Sequence, residues 1–155
     1  MAGHDALRTV CALVDGPNGG EGNDAVDRFY TALGTLAHKN RRRDDFRDNT
    51  VQFIDECLVI AGVSQTLNQT GSTAFDPEVA ASTELALSRT GKDVGTPILT
   101  FRPGQENEGS FFGPVISRIP RGPEALKLWD AIEVIATTPG VSELKRALRA
   151  SPVFN

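Results

Sequence analysis

Few residues of this chain have chemistry to offer: two cysteines, two histidines and a loop built around a Gly-Thr-Pro step. Cys11 and Cys57 stand 46 residues apart. A dithiol redox centre needs two thiols at short spacing, and no Cys-x-x-Cys occurs in the sequence. A zinc site needs about four soft or imidazole ligands in characteristic pairs, and that pattern is missing too. Each thiol is flanked by apolar residues, Val10, Ala12 and Leu13 in one case and Leu58 and Val59 in the other. Such neighbours predict a small buried side chain rather than a nucleophile. His4 and His38 have no ligand set and no serine or cysteine partner nearby in sequence, so no triad or metal centre is expected. Asp44 and Asp45 precede a predicted helix and read as first-turn charges, not catalytic acids. The expected catalytic and metal residues are therefore none.

The loop is more informative. Asp93-Val94-Gly95-Thr96-Pro97 leads into Ile98-Leu99-Thr100-Phe101, and Phe111-Phe112-Gly113-Pro114-Val115 follows ten residues later. Two β-branched or aromatic runs joined by a Pro-Gly-containing polar turn predict a β-hairpin, with strands at 98–101 and 110–112. The short connection makes it antiparallel.

The elements around that hairpin are helical. Apolar residues recur at helical spacing over 5–14, through Leu7, Val10, Cys11 and Val14. The glycine-rich stretch 15–22 then breaks any regular structure and is expected to be a flexible connector. It lacks the Lys-Ser/Thr of a phosphate loop. Asn23 is expected to cap a second helix to about residue 38, with Val26, Phe29, Tyr30, Leu33, Leu36 and Ala37 as its apolar stripe. A third helix is expected over 46–61, stopped by Gly62. Asp76-Pro77-Glu78 starts a fourth, ending near Gly91. Two more are expected, over 123–137 and 141–148, the first placing Trp129 against the hairpin; residues 151–154 form a tail. A lone two-stranded hairpin is marginal in water. No earlier strand run supplies a neighbour, so part of the sheet is expected to be missing from the front.

Composition narrows the function. Hydrophobic residues at 39% and charged residues at 23% over 155 residues fit an ordinary folded chain. A net charge of −4 and a pI near 5.2 argue against nucleic-acid binding, which depends on neutralising phosphates. The one basic run, Arg41-Arg42-Arg43, is offset by Asp44, Asp45 and Asp48 and reads as a solvated loop. No apolar run spans a membrane and no signal peptide is visible, so a cytoplasmic location is expected.

The segment from Gly91 onward, with Gly95-Thr96-Pro97, Phe111-Phe112-Gly113-Pro114, Ile119-Pro120-Arg121-Gly122, Leu128-Trp129-Asp130 and Glu143-Leu144-Lys145-Arg146, resembles the C-terminal half of the DsbA-like thioredoxin-fold oxidoreductases. Within them it is most similar to the actinobacterial mycothiol-dependent nitroreductase branch, a likeness that extends more loosely to Tyr30-Thr31-Ala32-Leu33-Gly34. The resemblance implies an α-rich α/β fold: the C-terminal portion of a DsbA-like thioredoxin fold, with 1–91 as its inserted helical lobe and 92–155 as the thioredoxin-like part. It also implies that the redox Cys-Pro-x-Cys belongs to a preceding part, so the chain is read as a truncated thiol–disulfide oxidoreductase, inactive alone. Thr96-Pro97 aligns with the family's cis-proline step. Gly95, Thr96 and Pro97 are thus expected to bind substrate through their backbone, by a mode resembling strand addition. No cofactor is expected in this chain; mycothiol or a similar low-molecular-weight thiol is the family's co-substrate, and a small thiol or electrophile the partner of the complete protein. Two alternatives stay open. One is a non-catalytic binding or assembly module, self-associating through the exposed sheet edge. The other is a fragment of a protein similar to kappa-class glutathione transferases and related isomerases, whose active residue would lie in the same missing part.

Overall fold

Residues 1–15, 22–148 and 150–153 are described by the computed structural model. The chain divides into two units, Met1–Ser82 and Thr83–Asn155.

The first unit is built from helices. α1 (Ala2–Asp15) starts three residues earlier than its apolar spacing predicts. Its buried face also differs: Ala6, Thr9, Ala12 and Leu13 face inward, while Leu7 and Val14 are exposed. The helix is rotated because Asp5 and Thr9, both buried, are engaged by distant backbone amides. The Gly71 N–H donates to Asp5 at 3.0 Å and the Gln69 N–H to Thr9 Oγ1 at 3.1 Å. The connector at residues 16–21 lies outside the described residues.

α2 (Asn23–Gly34) buries Ala25, Phe29 and Ala32, and Leu36 and Ala37 extend that face. Asn23 is not its cap. Gly22 precedes the helix at φ 75°, its carbonyl accepting from the Ala25 and Val26 N–H groups. Tyr30, expected on the apolar stripe, is 69% exposed. Thr35–Lys39 continues as a wider π turn.

The predicted third helix is two helices, α3 (Arg43–Asp48) and α4 (Thr50–Ile60), broken at Asn49. Side chains at the break compete for backbone and neighbours: Asn49 donates to the Asp45 carboxylate at 2.9 Å, and Thr50 Oγ1 donates to the Phe46 carbonyl at 2.9 Å. Phe53, Ile54, Cys57 and Leu58 of α4 complete one hydrophobic core with Leu13, Phe29 and Leu36. Gly62, at φ 68°, stops the helix in the left-handed conformation that glycine adopts without penalty. A 3₁₀ turn at Gln65–Leu67 follows. α5 (Asp76–Thr90) begins and ends as Asp76-Pro77 and Gly91 predict, yet buries only Val79.

The second unit contains β1 (Ile98–Phe101) and β2 (Gly109–Phe112), an antiparallel pair with Ile98 opposite Phe112 and Phe101 opposite Gly109. α6 (Gly122–Thr137) packs on both strands. The helix expected at 141–148 does not form. Leu144 and Leu148, which would be its apolar face, are 75% and 88% exposed. Eight residues with no buried face do not offset helix nucleation. Downstream, Val153 pairs in parallel with Arg118, its N–H donating to the Ser117 carbonyl at 2.8 Å. Residue 154 of the expected tail lies outside the described residues. The described residues are thus helix-rich, with a small sheet of two strands.

Candidate functional site

Gly95, Thr96 and Pro97 come together as an exposed loop at the entrance to β1. The Thr96–Pro97 peptide bond is cis. The loop is fastened at its exit, where the Gly113 N–H donates to the Pro97 carbonyl at 2.8 Å. A Cβ added at Gly95 would lie 3.3 Å from the edge of the Phe112 ring, so the ring supports the loop from the end of β2. Both strands therefore position it: β1 continues from it, and the residues closing β2 hold it.

Gly113 and Phe112 are contributions that sequence reasoning missed. Phe-Phe-Gly-Pro was legible as the end of the second strand, but nothing local shows that its glycine amide reaches back to Pro97. Gly113 has φ 109°, which favours glycine, and the Gly113–Pro114 bond is also cis.

The hairpin beneath is tied at several points. Thr100 and Ser110 share a hydroxyl–hydroxyl hydrogen bond of 2.9 Å across the strands. The Phe101 ring is 5.0 Å from that of Trp129, confirming the tryptophan's contact with the hairpin, although Trp129 stays 51% exposed. Glu108 closes the turn: it accepts from the Gly104 N–H at 2.6 Å and from Arg89 Nε at 2.9 Å. The Gly104 amide, helped by Arg89, holds its carboxyl below the ordinary glutamate value. Arg102 donates to Glu133 of α6 at 2.9 Å.

The two thiols sit in different surroundings. Cys57 is buried in the helical core, and burial pushes its thiol up to about 12. A thiol that resists ionisation is a poor nucleophile. Cys11, on α1, is half-buried. We expect a thiol-specific aromatic disulfide at pH 8 to label Cys57 only when urea unfolds the protein; rapid native labelling of Cys57, read by peptide mass mapping, would contradict its burial. His38 lies beside Arg43, whose Nε donates to its Nδ1 at 3.0 Å. Burial, then the Arg43 charge, lowers its pKa. Asp44 and Asp45 occupy the first turn of α3, and Asp45 accepts from Arg42.

A separate groove of about 320 Å³ runs along α2, lined by Asp27, Arg28, Thr31, Thr35, Leu36 and Ile60. It contains none of the predicted site residues. Among the described residues no group of histidine, cysteine and acidic side chains is placed to hold a metal, and no helix is long and apolar enough to cross a membrane.

The chain was compared with known families. Residues 5–146 match the family described as Rv2466c-like, mycothiol-dependent nitroreductase Rv2466c.

Proposed function

The chain belongs to the Rv2466c-like mycothiol-dependent nitroreductase family, and from that premise we propose that its Gly95-Thr96-Pro97 loop is the edge on which the family's thiol substrate is held. The supporting observation is the loop itself: three consecutive exposed residues, fixed at the Pro97 carbonyl by Gly113 and backed by Phe112. An extended ligand can add to such an edge through main-chain hydrogen bonds. On this reading residues 92–155 are the thioredoxin-like part of a DsbA-like fold and residues 1–91 its inserted helical lobe. The redox chemistry belongs to a Cys-Pro-x-Cys that these 155 residues do not contain. The chain then contributes substrate positioning, and by itself does not turn over. Its widely spaced thiols fit a reducing, cytoplasmic setting.

Titration with mycothiol disulfide, followed by backbone amide NMR, should shift residues 94–98 and Gly113. Shifts confined to the α2 groove, or none at saturating ligand, would remove the assignment. Insulin reduction and mycothiol-coupled nitro reduction by the chain alone should stay at the level of free cysteine. Turnover abolished by Cys11→Ser or Cys57→Ser would show that one of these thiols is catalytic after all.

A second reading, a binding module, rests on a different observation. In the second unit Val115, Ile116, Ile119, Leu126 and Val134 are each about half exposed or more. β1 also carries no charge or proline within Ile98–Phe101 to discourage edge pairing. Concentration-dependent sedimentation that Leu99→Lys abolishes would favour self-association through that edge; a monomer at every concentration would not.

A further inference from the structure

Polar contacts join α1 to the stretch leading into α5 and to the first residue of that helix. The core cluster of the first unit draws on residues up to Leu67. Beyond it, residues 68–82 are attached differently. The Gln69 amide donates to Thr9 Oγ1 and the Gly71 amide to Asp5 Oδ1. Arg8 spans to α5 with a bidentate pair, Nε to Asp76 Oδ1 at 2.6 Å and Nη2 to Oδ2 at 2.9 Å, while its Nη1 donates to Asp5 at 2.9 Å. These contacts all come from Asp5, Arg8 and Thr9, which share one turn of α1. The one buried apolar side chain of α5 is Val79. Asn68 marks the upstream limit, donating to the Val51 carbonyl and Asp55 carboxylate of α4.

We propose that residues 69–82 form a strap that opens and closes as a unit over one turn of α1, with Arg8 as its latch. Segments held by few apolar contacts open locally, below the free energy of global unfolding. This strap is fastened to one turn of α1 by polar contacts and to Asn68 through the Thr70 N–H and hydroxyl, and α5 adds one buried apolar side chain, Val79. Arg8 is the residue common to both carboxylates, so its loss removes the guanidinium from Asp76 and from Asp5 in one step. Opening takes the Gly71 and Gln69 amides away from Asp5 and Thr9, both buried in the closed state. His4, whose Nδ1 is 3.9 Å from Asp76, and the N-terminal amine, 3.6 Å from Asp5, are the other charged or titratable groups at the latch.

Native-state hydrogen exchange on the whole chain tests this. The Gln69, Gly71 and Val79 amides, each with a defined acceptor, report on the strap. Phe53 and Leu58 report on the core. In the unmodified protein the three strap amides should exchange together and faster than the core pair. Arg8→Gln should accelerate all three by roughly tenfold or more, the scale of a charge-assisted hydrogen bond, and leave Phe53 and Leu58 unchanged. Asp76→Asn, which keeps the Arg8–Asp5 contact, should also accelerate all three. Acceleration of Val79 alone would show that no single strap exists. Equal exchange of strap and core in the unmodified protein, or loss of the whole fold in Arg8→Gln, would make the contact part of the global core and overturn the proposal.

Discussion

Phe53→Ala should destabilise the helical unit by about 3–5 kcal/mol, the range for emptying a buried aromatic site. Phe53 is 1% exposed and lies in the core between α1, α2 and α4. The cost has three sources. The ring's transfer from water is lost, a cavity remains among residues of three helices, and two specific contacts vanish. One is the Phe46 ring at 5.0 Å. The other is the Arg42 guanidinium, 5.2 Å above the ring. Arg42 is also fixed by Glu56, at 2.8 Å, and by Asp45, and those acceptors survive the substitution. Its contribution should therefore be a minor part of the loss. Urea unfolding followed by far-ultraviolet circular dichroism measures the change; a shift below about 1 kcal/mol would mean that the helices repack around the gap. Phe46→Ala, at a half-buried position, should cost clearly less.

Gly109→Ala is the corresponding expectation for the hairpin. Gly109 faces the C-terminal end of α6 so closely that an added Cβ would meet the Ala136 carbonyl oxygen at 2.1 Å, its carbon at 2.6 Å and the Thr137 nitrogen at 2.9 Å. These are main-chain atoms, so no side-chain rotation relieves the clash. Either α6 moves off β2 or the strand end shifts. Overpacking of this kind costs about 1–3 kcal/mol and occasionally more, and the rigidity of the obstacle puts Gly109→Ala at the upper end. Amide spectra should show the disturbance at Gly109, Ala136 and Thr137, with the Arg102–Glu133 pair weakened as well. An alanine variant of unchanged stability would mean that α6 is not seated against this strand. Gly104→Ala is the comparison: its Cβ meets nothing within 4 Å, although φ 76° makes it a strained position for another reason.

The sequence was most readable where one short stretch decides the outcome. The hairpin follows from two β-prone runs around a Pro-Gly turn. α5 follows from Asp76-Pro77 at one end and Gly91 at the other, and α4 ends at Gly62 as a left-handed stop requires. Gly95-Thr96-Pro97 was legible as the approach to β1, and the structure places it there as an exposed loop. Distant partners were not readable. The rotation of α1 depends on amides 60 and 66 residues away, at Gln69 and Gly71. The clamp on the loop depends on an amide sixteen positions along the chain, at Gly113. The break at Asn49 turns on side-chain competition within a stretch whose apolar period runs through unbroken. Residues 141–148 have a helical composition, but periodicity cannot report that no surface waits to receive the face it defines.

The Phe101–Trp129 contact also makes the protein addressable by light. Trp129 is the single tryptophan of the chain and belongs to the second unit, while the single tyrosine, Tyr30, is on α2 of the first. Emission selected for indole therefore watches the hairpin and α6 alone, against the phenyl ring it leans on. The far-ultraviolet helical signal is dominated by the helices of the first unit. A denaturant titration recorded both ways would show whether the two units melt as one or in succession, with no label and no change to the sequence.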